Sequence, residues 1–336
     1  MRWPGKAAPL ISLRSPRPFW RSLFLATILA LAGWACTGTT GTAPTTQPAS
    51  IIVPTPTTVT PPTTTVLSAS TTVPEAPPAG PPFLFGKSVP GGGDEIFLAF
   101  WDGTIGENLT NNPADDHRGE ISPDGKTMVF GSDRDGSTNL YLMDLDSREV
   151  TRLTNNPAED WGPVWSPDGS RVAFYRAGPG IVPIVYVIDA DGTNEGDVTD
   201  GVVPANAVDW SGDGEWLLVW MVHDGALDIF RVHPDGSNLT PVTSTPGSEG
   251  PGAVSPDGSM IAFSYAEPGG GKRDIWVMGV DGSDRRQLTD GPTEDWTTEP
   301  VWSPDGMLVI YQSGVRGDYY VVGLDGSARR KLFDAP

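Results

Sequence analysis

The sequence predicts an all-β protein, a six-bladed β-propeller of four-stranded antiparallel blades preceded by a signal peptide and a disordered stalk. Three observations carry this expectation. The tetrapeptide Ser-Pro-Asp-Gly begins at Ser122, Ser166, Ser255 and Ser303, with the variant Ser211-Gly212-Asp213-Gly214 between, at spacings of 44, 45, 44 and 48 residues. A second marker recurs every 44 to 46 residues: Leu109-Thr110, Leu153-Thr154, Val198-Thr199, Val242-Thr243, Leu288-Thr289 and Leu332-Phe333. Finally, 41 glycines and 34 prolines in 336 residues make up more than a fifth of the chain. Glycine is costly inside helices and proline breaks their hydrogen-bond ladder, so this load suits many short strands and turns.

Residues 1–35 read as an export signal. Five basic residues (Arg2, Lys6, Arg14, Arg17, Arg21) and no acidic ones precede or flank the apolar run from Ser22 to Ala35. As a helix that run reaches about 21 Å, short of a hydrocarbon core of about 30 Å. A charged stretch, a short apolar stretch and a small residue at the end form a leader pattern. Gly33-Trp34-Ala35-Cys36 resembles the lipobox of bacterial lipoproteins, and Cys36 is the chain's single cysteine. The resemblance implies cleavage before Cys36 and lipidation there, with acyl chains strong enough together to anchor stably.

Residues 36–69 are dominated by Thr, Pro, Ala and Ser, and no charge appears between Cys36 and Glu75. Such a segment has too little apolar area to offset its ordering entropy, so a disordered, extended linker is expected.

The repeat occupies residues 70–336. Each unit runs from a short strand ending in an aromatic residue (Trp165, Trp210, Trp302) through a Pro-Asp-Gly turn into a strongly apolar strand such as 216–222. A third strand follows, as in Asp274-Ile-Trp-Val-Met278, then a second Asp-Gly turn and the Leu-Thr strand. Four strands in about 45 residues match one propeller blade. The first unit lacks a clear opening tetrapeptide; Pro77-Pro78-Ala79-Gly80 falls over Ser166-Pro-Asp-Gly169, as a decayed copy would. No capping segment is evident, which favours a closed ring over an open solenoid. The unit pattern, aromatic-Ser-Pro-Asp-Gly through Asp-Ile-aromatic-Val-Met to Leu-Thr, resembles the WD-like propeller repeat of the TolB type. An α/β domain precedes the blades in that family, and here a stalk stands in that place.

Few residues suggest chemistry. Asp124, Asp168, Asp257 and Asp305 are expected to bond nearby backbone N–H groups in their turns. Asp133-Arg134-Asp135-Gly136 lacks the alternating ligands of a calcium loop. The sequons at Asn108 and Asn238 overlap the strand-closing repeat. His117, His223 and His233 are scattered, and neither HExxH nor Gly-x-Ser-x-Gly occurs, so no catalytic residue, metal or cofactor is assigned. One feature stands out. Asp116, Asp160 and Glu249 lie six residues before a marker serine and Asp295 eight before, with His117, Trp161 and Trp296 beside them. Placed in connections at one end of the channel, they would ring its mouth and bind a cation, a basic peptide or a sugar.

The expected function is a lipid-anchored cell-envelope module, facing outward from the cytoplasmic membrane or into the periplasm. It would act as a monomer on an envelope protein, peptide or glycan ligand, cationic partners being favoured by a net charge of −20. That charge disfavours nucleic acid, and membrane contact would come through the anchor alone. The alternatives are a metal-assisted lyase or hydrolase acting at the channel mouth, and an orphan gating propeller of the prolyl-oligopeptidase kind.

Overall fold

In the computed structural model, the described residues are 11–13, 83–90, 92–100, 104–199, 205–269, 272–290, 298–313 and 318–333. Cys36, the apolar run of the leader, the Thr/Pro-rich segment, Asp295 and Trp296 lie outside them. The described residues form six four-stranded sheets and no helix. Blade 1 holds β1 (Ile11–Leu13), β2 (Phe83–Ser88), β3 (Asp94–Ala99) and β4 (Ile105–Asn108). Blade 2 holds β5 (Asp116–Ile121), β6 (Thr127–Ser132), β7 (Asn139–Asp144) and β8 (Val150–Arg152). Blade 3 holds β9 (Glu159–Trp165), β10 (Arg171–Gly178), β11 (Ile181–Asp189) and β12 (Gly196–Asp197). Blade 4 holds β13 (Ala205–Trp210), β14 (Leu217–His223), β15 (Ala226–Val232) and β16 (Thr240–Pro241). Blade 5 holds β17 (Ser248–Val254), β18 (Met260–Ala266), β19 (Asp274–Gly279) and β20 (Arg286–Gln287). Blade 6 holds β21 (Thr298–Trp302), β22 (Leu308–Ser313), β23 (Asp318–Gly323) and β24 (Arg330–Phe333).

The six-bladed propeller expected from the repeat is therefore present. Blades 2 to 6 are wholly antiparallel. Blade 1 differs. Among the described residues its innermost strand is β1, from the segment read as leader, and β1 runs parallel to β2 with Ile11 opposite Phe83 and Leu13 opposite Phe85. The physical reason is the second edge of β2, which β3 leaves unpaired and whose N–H and C=O groups need partners.

The repeated markers have defined mechanical roles. In each Ser-Pro-Asp-Gly turn the serine hydroxyl accepts the N–H five residues on, at 2.8 to 3.1 Å, and donates to the turn carboxylate at 2.5 to 2.6 Å. The glycine that follows takes a φ of 69 to 75°, the left-handed region where a side chain is strained. In the Leu-Thr marker the threonine hydroxyl accepts a third-strand N–H: Ile96, Leu140, Val185, Ile229 and Ile275 donate to Thr110, Thr154, Thr199, Thr243 and Thr289 at 2.8 to 3.1 Å. The outer strand is thus tied to its neighbour by a side chain as well as by its short ladder.

Blades pack through their faces. Leu84 and Ile96 meet Met128 and Phe130 between blades 1 and 2, and Val129 and Leu140 meet Trp165 and Phe174 between blades 2 and 3. Trp220 packs with Phe263 between blades 4 and 5, and Val277 with Tyr311 between blades 5 and 6. The ring closes where Phe83 and Phe85 of blade 1 pack on Ile310, Tyr319 and Val321 of blade 6. Hydrogen bonds add register. The indole N–H of Trp165, Trp210 and Trp302 donates to a carbonyl of the preceding inner strand, at Glu120, Val164 and Ala253 respectively, at 3.3, 3.2 and 2.9 Å. The carboxylates of Glu120 and Asp209 each accept a backbone N–H from the next inner strand, Trp165 and Val254, at 2.8 Å.

Two outcomes are expected. Trp302→Phe keeps the ring but loses the indole N–H and orphans the Ala253 carbonyl, so denaturant unfolding should show a loss of about 1–3 kcal/mol, less than the ~3–5 kcal/mol of Trp302→Ala. The turn carboxylates of Asp124, Asp168, Asp213 and Asp257 are held below their ordinary value by the serine hydroxyl, Asp168 at about 2 against 3.8. A lowered native pKa stabilises above the unfolded value and is lost as pH falls through the folded one. The melting temperature of Asp168→Asn should therefore lie below wild type at pH 6, and the gap should narrow as the pH is taken from 4 towards 2.

Candidate functional site

The residues singled out by their offset from the marker serine occupy one end of the inner strands. Asp116 opens β5, and Asp160 and Glu249 are the second residues of β9 and β17. In all five described inner strands of blades 2 to 6 the register breaks just beyond this point, at His117/Glu120, Trp161/Val164, Asn206/Val208, Glu249/Gly252 and Thr298/Val301. Such bulges re-aim side chains at the end of a strand. Arg118 and Gly162, within the bulges of blades 2 and 3, have φ of 54° and 59°.

Here the structure departs from the expected exposed acidic rim. The three carboxylates belong to strands rather than connections, and each is 0% exposed. The reason is electrostatic: a carboxylate buried on the blade needs a cation, and each blade supplies an arginine. Arg134 Nη2 lies 3.1 and 3.3 Å from the Asp116 oxygens, and Asn112 donates to the same group. Arg176 donates from Nε and Nη2 to Asp160 at 2.6 and 3.1 Å and grips Glu195 with Nη1 and Nη2 at 2.7 and 3.0 Å. Arg285 Nη1 and the Thr245 hydroxyl donate to Glu249 Oε1 at 3.0 and 2.8 Å. Burial pushes the carboxyls of Asp116, Asp160 and Glu249 above their ordinary values, and these donors pull them back.

Each guanidinium also sits over aromatic rings from the second and third strands. Arg134 covers Phe130 and Tyr141 at 5.1 and 4.8 Å, and Arg176 covers Phe174 and Tyr186 at 5.5 and 4.5 Å. Arg285 covers Tyr265 and Trp276 at 4.1 and 5.1 Å, and Arg329 of blade 6 covers Tyr311 and Tyr320 at 6.0 and 5.6 Å. Ring quadrupoles replace part of the lost hydration of the cation. Blade 4 serves as an internal control. The pair Asp160 and Arg176 of blade 3 corresponds to Ala205 and Met221 of blade 4, which face each other in the same register. Acid and base are replaced together by an apolar pair.

His117 and Trp161 are brought together. Their rings stack across the seam of blades 2 and 3 with centroids 4.5 Å apart and planes 13° apart. His117 is buried against Gly131, where an added Cβ would lie 2.4 Å from its Cε1, so the seat requires glycine. Trp161 is half-buried and donates from Nε1 to Glu159 at 3.3 Å. The other two histidines lie apart: His223 Nδ1 is 3.1 Å from Asp228, and His233 Nδ1 is 2.7 Å from the Glu215 carbonyl. In the Asp133-Arg134-Asp135 stretch, Asp133 accepts the Asp115 N–H and Asp135 the Tyr141 hydroxyl, so the two carboxylates serve different partners. Among the described residues, no three His, Cys, Asp or Glu side chains gather as a metal site would require. What the sequence reading missed are the arginines, which come from the hairpin after β6, from β10 and from the turn before β20, at no common offset.

The clamps can be tested directly. Arg176→Ala leaves Asp160 buried without its cation and should cost about 3–5 kcal/mol in denaturant unfolding. Asp160→Ala combined with Arg176→Met, copying Ala205 and Met221, should restore most of that loss.

Comparison with known proteins accords with this architecture. The model of the TolB beta propeller domain matches residues 104–272 and 184–333. The Tol-Pal system protein TolB of Anaeromyxobacter dehalogenans strain 2CP-C is 33% identical over 132 residues, 39% of this chain and 29% of that relative. The matched stretch thus spans less than a third of the relative's length. A crystal structure of TolB from Acinetobacter baumannii superposes with a TM-score of 0.62 at 21% identity, covering 72% of this chain and 59% of that one. An oligogalacturonate lyase in complex with manganese gives 0.51 at 20% identity over 77% and 74%. Both likenesses show the fold alone. With the family model spanning more than half of the sequence, the chain belongs to the TolB β-propeller domain family.

Proposed function

We propose that this protein is an exported, lipid-anchored propeller that binds a protein or peptide of the cell envelope at the channel end of its blades, without catalysing a reaction. The observation that carries the reading is the state of the candidate carboxylates. Asp116, Asp160 and Glu249 are each engaged by an arginine or hydroxyl of the same blade. Groups so committed hold a surface rigid, and a rigid surface loses little freedom on binding. Beside them the His117–Trp161 stack presents a half-buried indole, a residue type that commonly anchors protein interfaces. The net charge of −20 favours a partner with basic groups.

Export is supported by the basic and apolar leader of residues 1–35, and anchoring by Cys36 directly after it. Kinship to a Tol-Pal system protein is in keeping with work in the envelope. The remaining members of the sequence-derived set, Asp295 and Trp296, belong to the same proposed mouth by their offset from Ser303.

Two experiments test the reading. In a bacterial host, wild type should take up labelled palmitate and fractionate with membranes, and Cys36→Ser should lose both properties; an unlabelled wild type would contradict the anchor. Partners captured by in-cell cross-linking with wild type should be depleted at least about tenfold with Trp161→Ala, a change of about 1.4 kcal/mol, while the melting temperature stays close to wild type. An unchanged set of partners would place binding elsewhere.

A further inference from the structure

At the end of the blades that carries the serine turns, blade 4 departs from the repeat. In blades 2, 3 and 5 one backbone bond ties the second turn of the blade to the first. Leu145, Ala190 and Val280 donate their N–H to the carbonyls of Lys126, Ser170 and Ser259 at 2.8, 2.9 and 3.2 Å. Blade 4 has Pro234 at this position and so has no N–H to give. The carbonyl it would have served, that of Glu215, instead meets His233 Nδ1 at 2.7 Å. A carbonyl can only accept, so Nδ1 carries the hydrogen, and in the neutral ring Nε2 is an acceptor.

The side chains of the same seam differ as well. Between blades 4 and 5 the place is filled by Trp216 and Val280, and between blades 5 and 6 by Met260 and Leu324, each pair packed on the core of its seam. Between blades 3 and 4 the corresponding pair is Arg171 and Pro234. Thr127, Trp216, Met260 and Leu308 stand where Arg171 stands, so among blades 2 to 6 only blade 3 has a cation there. Its guanidinium lies over the Trp210 ring of blade 4, 4.9 Å from the centroid, and among the described residues no carboxylate forms an ion pair with it. In place of an apolar plug there is a cleft of about 470 Å³, with Arg171, Glu215, His233, Asp235, Ser237 and Asn238 on its walls. That is within the size range of small-molecule sites, roughly 300–1,000 Å³.

We propose that this cleft binds a polyhydroxy carboxylate, the chemistry shared by free sugar acids and acidic glycan chains. The planar guanidinium of Arg171 takes the carboxylate, which its fork of donors matches. His233 Nε2 accepts from one hydroxyl. The carboxylates of Glu215 and Asp235 accept from others, Asp235 already holding the Ser237 N–H and hydroxyl on Oδ1 at 3.0 and 2.6 Å. Two acids beside one arginine disfavour a ligand that is anionic all round, such as inorganic phosphate, and favour one that offers hydroxyls to the acids. The chain's net charge of −20 acts weakly on a carboxylate held against the guanidinium, because at physiological salt the screening length is about 8 Å. The cleft lies at the opposite end of the blades from the arginine clamps and Trp161, and is independent of any partner bound there.

The full chain is titrated with gluconate, methyl glucuronide, glucose and acetate, with binding read by ligand-detected NMR. At least one of the two sugar acids should bind saturably, at least about tenfold more tightly than glucose, which lacks the carboxylate, and acetate, which lacks the hydroxyls. Binding of the methyl glucuronide assigns the source to a glycan chain, and binding of gluconate alone to a free acid. Arg171→Gln should weaken binding at least about tenfold. His233→Gly combined with Pro234→Val copies Gly279-Val280 of blade 5. This restored repeat should return an N–H to the Glu215 carbonyl, melt no lower than wild type and abolish binding. No saturable binding of either sugar acid, glucose binding as tightly as they do, or wild-type affinity in the restored repeat would overturn the proposal.

Discussion

The propeller depends on the tie between one inner strand and the next. An inner strand is hydrogen-bonded to its own blade on one side only, and its other edge faces the axis. Apolar packing between blade faces supplies the attraction but little directional preference. Direction comes from the indoles of Trp165, Trp210 and Trp302 and from the carboxylates of Glu120 and Asp209, all of which reach backbone groups of the adjoining inner strand. Because these donors and acceptors sit beside the marker serine, the turn that fixes a blade internally also fixes its position against its neighbour.

The same economy of position explains the other end of the strands. There the chain bulges, and acids at a repeated offset meet guanidiniums laid over aromatic rings. The acids serve architecture first. Their ionic partners remove them from solvent, and the one described blade with alanine at the site has methionine where blade 3 has arginine. The binding proposed for this end therefore rests on what the clamps hold in place, above all the stacked His117 and Trp161.

Much of this was legible in the sequence, for a physical reason. Turn chemistry is local, so Pro-Asp-Gly and Leu-Thr announced both the strands and their number. The acids were legible as a set because their offset from the serine is constant. Their burial was not, because the arginines that neutralise them arrive from three different elements and meet the acids only through strand register and folding of the blade. The origin of the first blade's inner strand was equally hidden. Pro77-Pro78-Ala79-Gly80 marks where a turn belongs, whereas the pairing of Ile11–Leu13 with β2 is a long-range contact with no local signal.

Ring closure is tested most directly by native-state hydrogen exchange across the seam of blades 1 and 6. If the six blades form one closed cooperative unit, the slowest amides of β2 and β23 should open with the same free energy and denaturant dependence as those of β10 and β14 on the far side. Exchange of the β2 and β23 amides through a separate opening of lower energy and small denaturant dependence, with the other blades still protected, would contradict it.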